Sequence, residues 1–184
     1  MKNLKNKKGF TLVELLAVIV ILALIMAIAV YSISGILQSS RESAFKDTAL
    51  NIISGVRQQL LINNELRNGD YYVTSSLLES GGITTPYGGT INYSDKNADY
   101  ADAVPGTKAV MRANGTATCS VSSPTFVSVS GEGTGSYTYS ICIGVQGGKD
   151  GDYYINMAKE SDLMGSKTDM IVKAGSTTTP ATED

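Results

Sequence analysis

Hydrophobic residues are concentrated near one end of the chain, where they form a continuous block. Residues 15–31 are an unbroken apolar run, and most of the 28 positions from Phe10 to Leu37 are apolar. A helix that spans a membrane needs about 20 such residues. The pattern therefore predicts a hydrophobic membrane or assembly helix over 10–37.

Beyond Gly35 the apolar residues become periodic and charged residues lie between them. No proline interrupts 10–68, and Asn68-Gly69 supplies a stop signal for a helix. Steps of three or four residues are typical of an amphipathic helix. We therefore predict that the helix continues over 38–68 with one face buried against the domain that follows. The apolar positions are Leu37, Ala44 or Phe45, Ala49, Ile52, Val56 and Leu60.

The rest of the chain has short β-type runs between turn residues, and it holds 16 of the 19 glycines. Residues 136–145 alternate in a way typical of a half-buried strand, and 152–158 predict another. Asn114-Gly115 predicts a hairpin between 108–113 and 116–121. Shorter signals predict a capping box at Ser76 and Glu79 that begins a brief helix, and a turn over 86–89.

These elements predict an α+β fold. A long N-terminal helix with a protruding hydrophobic half would pack its second half against an antiparallel sheet, because the apolar helix face and the apolar sheet face both need a cover. The globular, β-rich head occupies 69–174. Residues 175–184 are predicted to be a flexible tail, and 1–9 form a basic leader.

Composition argues against catalysis and nucleic-acid binding. The chain has no histidine, which removes the commonest general base and metal ligand. It has no nucleophile elbow and no phosphate-binding loop, so we expect no enzyme activity and no cofactor. Residues 69–184 carry 13 acidic and 7 basic residues, a net charge of −6, whereas a nucleic-acid-binding region is basic.

The leader is open to three interpretations. Four lysines precede Gly9, and a single carboxylate, Glu14, lies at the start of the apolar run. A secretory signal peptide has a shorter apolar region than this one. It also ends in a small-residue cleavage site, and this segment has none. A plain single-span anchor with a cytoplasmic N-terminus agrees with the lysines but leaves Glu14 and the Gly9-Phe10 junction unexplained.

The third interpretation uses every feature. The sequence from Lys7 to Glu14, KKGFTLVE, resembles the processing site of type IV pilins and pseudopilins. The resemblance covers residues 5 to about 60. It implies that a membrane peptidase cuts between Gly9 and Phe10 and that Phe10 becomes the N-methylated first residue. It also implies that Glu14 pairs with the Phe10 amine of a neighbouring subunit during assembly.

The resemblance implies a structural subunit of a type IV pilus. Its partners would be prepilin peptidase, the assembly machinery and other copies of itself in a helical homopolymer. The chain would first be a single-pass protein of the cytoplasmic membrane and later part of an extracellular filament used for adhesion, motility or DNA uptake. The alternatives are a pseudopilin of a type II secretion system and an uncleaved, membrane-anchored surface protein.

One position departs from the family pattern. Many members have proline where this chain has Tyr31, and that proline loosens the helix when filaments pack. Tyrosine keeps the backbone donor that proline removes. Whether the helix unwinds between Tyr31 and Gly35 is therefore left open by the sequence.

Three further features concern the head. Cys119 and Cys142 are the only cysteines and form either a disulfide, as an exported pair can, or two small buried thiols. Asp150 and Asp152, with Asp162 further on, form either a calcium site, as in some pseudopilins, or a solvated acidic turn. Asn92-Tyr93-Ser94 and Asn114-Gly115-Thr116 match glycosylation sequons.

Overall fold

The structure is a computed structural model that describes residues 10–81, 85, 87–95, 101–131, 135–149, 151–165 and 170–174. The chain divides into two units, with the boundary between Ser40 and Arg41. One helix, α1 (Leu12–Ile62), contributes residues to both units. The predicted leader at 1–9 and the predicted tail at 175–184 lie outside the described residues.

The end of α1 differs from the prediction. The helix ends at Ile62 and not at 68, because residues 63–65 form a capping motif that closes its last turn. Asn64 has a left-handed φ of 55°, the Asn64 N–H donates to Leu61 O at 3.2 Å, and the Glu65 N–H donates to Leu60 O at 2.9 Å. This is a Schellman arrangement with asparagine in place of the usual glycine.

The amphipathic face predicted for the second half of the helix is confirmed from Phe45 to Leu60, whereas Leu37, the first residue of the predicted stripe, is 48% exposed. Its large apolar residues are completely buried in the core of the second unit, and Ile53 joins them there. Full burial of each large side chain contributes about 1.5–3 kcal/mol relative to leaving it in water. The buried residues are Phe45, Ala49, Ile52, Ile53, Val56 and Leu60.

The second unit contains an eight-stranded antiparallel sheet, which confirms the α+β prediction. Its strands are β1 (Gly69–Val73), β2 (Thr90–Ile91), β3 (Ala101–Ala103), β4 (Val110–Ala113), β5 (Phe126–Gly131), β6 (Tyr137–Gln146), β7 (Tyr153–Lys159) and β8 (Ile171–Lys173). Two short helices, α2 (Ser75–Gly81) and α3 (Glu160–Met164), complete it. The strand order is β3-β4-β1-β5-β6-β7-β8, and β2 pairs with the end of β6.

The alternation predicted for 136–145 is confirmed in β6. Tyr139, Ile141, Ile143 and Val145 are buried in the same core as the helix face. Cys142 lies on the other side of the sheet, in a second cluster with Tyr72, Met111 and Phe126. The sheet therefore has apolar residues on both faces, and α1 accounts for the cover of only one.

The predicted hairpin at Asn114-Gly115 is wrong. β4 is paired with β1 and β3, and residues 116–121 form no strand. Instead, the Ala117 N–H donates to the buried Asp70 carboxylate at 2.7 Å, and the Asn92 side-chain amide donates to Val121 O at 2.8 Å. These contacts hold residues 116–124, which we name the cover segment, beside the second cluster.

The remaining local predictions are confirmed in part. The strand expected at 152–158 is β7, and the helix expected near Ser76 is α2. That helix begins at Ser75, so Ser76 is inside it, and Thr74 O accepts from the Leu77 and Leu78 N–H groups. Pro86 lies outside the described residues, while Gly88 N–H donates to Thr85 O at 3.0 Å within the predicted turn.

Arg57 fixes α1 to both the sheet and α3. Its guanidinium lies over the Tyr139 ring, 4.1 Å from the ring centroid, and forms a hydrogen-bonded ion pair with Glu160. Burial lowers the Arg57 pKa, but the hydrogen bonds to Glu160 and Tyr139 raise it, and the net change is upward. The side chain therefore stays charged and combines packing with charge pairing.

Three aromatic rings in contact connect the buried face of α1 to the first residue of β7 and to the turn that contains Tyr87. The Phe45 and Tyr153 rings meet edge to face at 5.3 Å, and the Tyr153 and Tyr87 rings do so at 5.1 Å. Burial, followed by the charge and hydrogen bonding of Glu42, raises the pKa of Tyr87 to about 12. Burial also raises the pKa of Tyr153. Both phenols therefore remain neutral in ordinary buffers.

Cys119 and Cys142 are joined by a disulfide, with Cα atoms 5.7 Å apart. Cys142 is fully buried in β6, and Cys119 belongs to the cover segment rather than to the predicted strand. The Cys119 side chain, Ala113 and Ala117 pack against the second cluster. The covalent bond therefore holds the cover segment against the face of the sheet that lacks a helix.

We expect the double variant Cys119→Ala/Cys142→Ala to unfold with a free energy lower by about 3 kcal/mol, because a cross-link over 23 residues removes conformational entropy from the unfolded chain. Urea unfolding of the full chain in detergent, followed by tyrosine fluorescence, measures it. The parent protein treated with a reductant is the matched control and should lose a similar amount. A double variant as stable as the oxidised parent would contradict the expectation.

β7 contains a bulge opposite Cys142. Ile141 pairs with Ala158 and Ile143 pairs with Ile155, so Asn156 and Met157 together face one residue of β6. Met157 has a left-handed φ of 48°, which suits glycine and strains a large side chain. Its side chain is 37% exposed, so little burial depends on it.

We expect Met157→Gly to unfold with a free energy about 1 kcal/mol higher than Met157→Ala, because only glycine adopts this backbone conformation without a steric penalty. Both variants remove the thioether chain of Met157. The difference between their free energies of unfolding therefore reports the steric cost of the left-handed backbone conformation at this residue. Urea midpoints measured in parallel test it. Equal midpoints would mean that the bulge stores no strain at this residue.

Candidate processing and assembly site

The helix start at residues 11–14 is closed by a reciprocal capping box. The Thr11 N–H and hydroxyl both donate to Glu14 Oε2, at 2.9 and 3.0 Å, and the Glu14 N–H donates back to Thr11 Oγ1 at 3.3 Å. This is the Thr-x-x-Glu pattern in which two unpaired N–H groups of the first turn are satisfied. This capping box is absent from the sequence predictions, although its pattern is visible in Thr11-Leu12-Val13-Glu14.

The capping box gives Glu14 a local role in the single chain. A carboxylate in the first turn also interacts favourably with the positive end of the helix dipole. Both Thr11 donors use Oε2, and within the described residues no donor reaches Oε1. The carboxylate is therefore held in one place at the head of α1 with one oxygen available to a group from outside the chain.

The predicted cleavage junction is described on one side only. Phe10 is the first described residue and its side chain is 90% exposed, whereas Gly9 lies outside the described residues. Phe10 immediately precedes the capping box, so an amine created at Phe10 would be four residues from Glu14 along the chain.

The segment Leu12–Ala29 is long and apolar enough to cross a membrane, and none of it is buried within the protein. Its leucine, isoleucine and valine side chains are exposed around the whole helix, from 48% at Leu22 to 81% at Leu12. A contiguous apolar surface of this extent requires lipid or protein around it. The segment therefore has the length and the exposure that a membrane or assembly helix needs.

The backbone remains α-helical through the positions where the sequence left unwinding open. Tyr31 and Gly35 lie inside α1, and a Cβ atom added at Gly35 would meet no atom within 4 Å apart from its chain neighbours and the local helix backbone. The isolated chain therefore has no break in the helix at this point.

The choice between a calcium site and a solvated acidic turn stays a prediction. Asp150 lies outside the described residues, Asp152 lies immediately before β7, and Asp162 is in α3. The Asp152 carboxylate accepts the Gly147 N–H at 2.8 Å, which is the role of an acid in a turn. In the part of the chain that the structure describes, no three acidic, histidine or cysteine side chains are grouped to hold a metal.

Comparison with known proteins gives one match. The family described as the prokaryotic N-terminal methylation motif matches residues 4–30. No match was found among curated proteins or among solved structures. The matched range contains the Gly9-Phe10 junction, the Thr11–Glu14 capping box and the whole of Leu12–Ala29.

A methylation motif that opens directly into an exposed, apolar helix identifies residues 4–30 as the prepilin signature of type IV pilins and pseudopilins.

Proposed function

We propose that this chain is a subunit of a type IV pilus, cut between Gly9 and Phe10, methylated at Phe10 and polymerised through α1. The observation that carries the proposal is the methylation motif over 4–30, joined to an apolar helix with no cover of its own. Prepilin peptidase and the pilus assembly machinery are the proposed partners. The role is structural, without catalysis.

The exposed apolar surface of Leu12–Ala29 explains why insertion into the membrane comes before assembly into a filament. Before assembly, Leu12–Ala29 lies in the cytoplasmic membrane, and the four leader lysines keep the N-terminus on the cytoplasmic side. Other copies of the same helix then replace lipid around it. The disulfide agrees with a head outside the cytoplasm, where thiols are oxidised.

Glu14 positions each new subunit by pairing with the Phe10 amine of a neighbouring copy. The mature chain carries a positive amine at Phe10, and transfer of that charge into an apolar filament core is costly unless an opposite charge compensates it. Glu14 of a neighbouring copy supplies the carboxylate. Since Oε2 is occupied by Thr11, Oε1 is the oxygen that receives the amine.

A pseudopilin of a type II secretion system shares the same motif and remains the alternative. Its filament is short and periplasmic, so immunoelectron microscopy separates the two. Long surface fibres labelled by an antibody to the head support the pilus, and label confined to the envelope supports the pseudopilus. An uncleaved surface anchor would retain residues 1–9.

We expect the mature protein to begin at N-methylated Phe10. Intact mass measurement of protein from its native host tests this, together with sequencing of the N-terminal peptide. A Gly9→Ala variant is expected to keep the leader, because a side chain at the cut site blocks the peptidase. An unmethylated protein that retains Met1 would refute the proposal.

We expect Glu14→Gln to be cut and methylated normally but to yield roughly tenfold less sheared filament or lower, because a neighbouring amine would be left without a countercharge. Glutamine keeps the shape of the capping box and its acceptor oxygen. The measurement is the ratio of sheared to membrane-bound subunit on immunoblots.

Thr11→Ser is the control for the capping box, since it preserves both donors to Glu14 and should assemble like the parent. Normal filament yield from Glu14→Gln would exclude the charge-pairing role. Loss of filaments in Thr11→Ser as well would point to packing at residue 11 rather than to charge.

A further inference from the structure

The chain contains two Asn-Gly steps, and the structure places them in opposite environments. Asn68-Gly69 joins the end of the α1 region to β1, and Asn114-Gly115 follows β4. An asparagine followed by glycine is the sequence at which the backbone most easily attacks a side-chain amide, because glycine offers no side chain to hinder the approach. Local structure then decides whether the attack occurs.

Asn68 is locked. Its Nδ2 donates to Gly131 O at 3.0 Å, and its Oδ1 accepts the Gly131 N–H at 2.8 Å. Gly69 is held in β1, opposite Val129 of β5. The Asn68 carboxamide therefore cannot turn onto the Gly69 nitrogen until two hydrogen bonds break.

The Asn114 carboxamide can rotate towards the Gly115 nitrogen. Its side chain is exposed, and a Cβ at Gly115 would meet no atom within 4 Å. Across the described residues, neither the Asn114 carboxamide nor the Gly115 N–H has a hydrogen-bond partner. Residues 116–121 form no strand, so the Gly115 N–H is not part of a paired turn.

We propose that Asn114 is a site of spontaneous deamidation on the folded head. The Gly115 amide nitrogen loses its proton and attacks Asn114 Cγ, the new C–N bond closes a succinimide, and the Cγ–Nδ2 bond breaks so that the side-chain nitrogen takes up a proton and leaves as ammonia. Water then opens the ring at either carbonyl to give aspartate or isoaspartate. The proposal does not depend on the pilus function.

The product changes the surface in a defined way. A neutral side chain becomes a carboxylate two residues beyond Arg112, and the net charge of the head becomes more negative by one. The isoaspartate form also adds a backbone methylene between β4 and the cover segment, close to the Ala117 N–H that binds Asp70. An exposed protein that persists outside the cell would accumulate this change with age.

The test compares the two steps within one molecule. The full chain in detergent is incubated at mildly alkaline pH, digested with trypsin and followed by mass spectrometry. Trypsin cuts after Arg67 and Arg112, so the steps fall in separate peptides that begin at Asn68 and Ala113. We expect Asn114 to deamidate roughly tenfold faster than Asn68 or more, since two hydrogen bonds protect Asn68.

A second incubation, of reduced protein unfolded in guanidinium, isolates the effect of structure. The two rates should then converge, because both residues precede glycine and neither is restrained. We expect isoelectric focusing to resolve an acidic charge variant of the incubated native protein and Asn114→Gln to remove it, since glutamine closes the corresponding ring far more slowly.

Three results would overturn the proposal. They are equal rates at Asn68 and Asn114 in the folded chain, a difference that persists in guanidinium, and a glycan on Asn114 in protein from the native host. The last would mean that the sequon Asn114-Gly115-Thr116 is used and that the side-chain amide is not available for attack.

Discussion

Burial of one face of α1 against the sheet is the interaction on which the rest of the structure depends. The helix residues from Phe45 to Leu60 supply one side of the main core, and β1, β5, β6 and β7 supply most of the other side. Towards its start the same helix has no polar face, and Leu12–Ala29 is exposed on every side. One continuous element therefore meets two different burial requirements, and the protein itself satisfies only one.

This division explains how a carboxylate is tolerated at the start of an apolar segment. Glu14 belongs to a capping box, where the Thr11 donors and the helix dipole favour the charged form before any neighbour arrives. The amine of a neighbouring subunit would therefore meet a carboxylate that Thr11 already holds in position. The local and the intermolecular roles of Glu14 are compatible because they use different oxygens.

The parts of the fold that sequence could predict are those with a local cause. The buried face of α1 and the alternation in β6 follow from residue spacing, and both are confirmed. The helix end was misplaced because Asn64 ends the helix in a conformation typical of glycine. The position of β1 inside the sheet has no local signal, since its partners β4 and β5 are both distant from it in sequence. At the site, the motif residues were predictable, and the overlooked capping box was readable from Thr11 and Glu14.

The failed hairpin shows how a requirement on the second face of the sheet can outweigh a strong turn signal. Tyr72, Met111, Phe126 and Cys142 need a cover that no helix provides. Both edges of β4 are paired, with β1 and with β3, so a strand at 116–121 would have had to displace one of these partners. The chain instead crosses the cluster, fixed by Asp70 near one end, Asn92 near the other and the disulfide between them. The extra residue of the β7 bulge lies opposite Cys142. The Cys119 sulfur is 3.4 Å from Ile155 O, at the edge of the same bulge. The bulge and the disulfide therefore occupy the same part of the sheet.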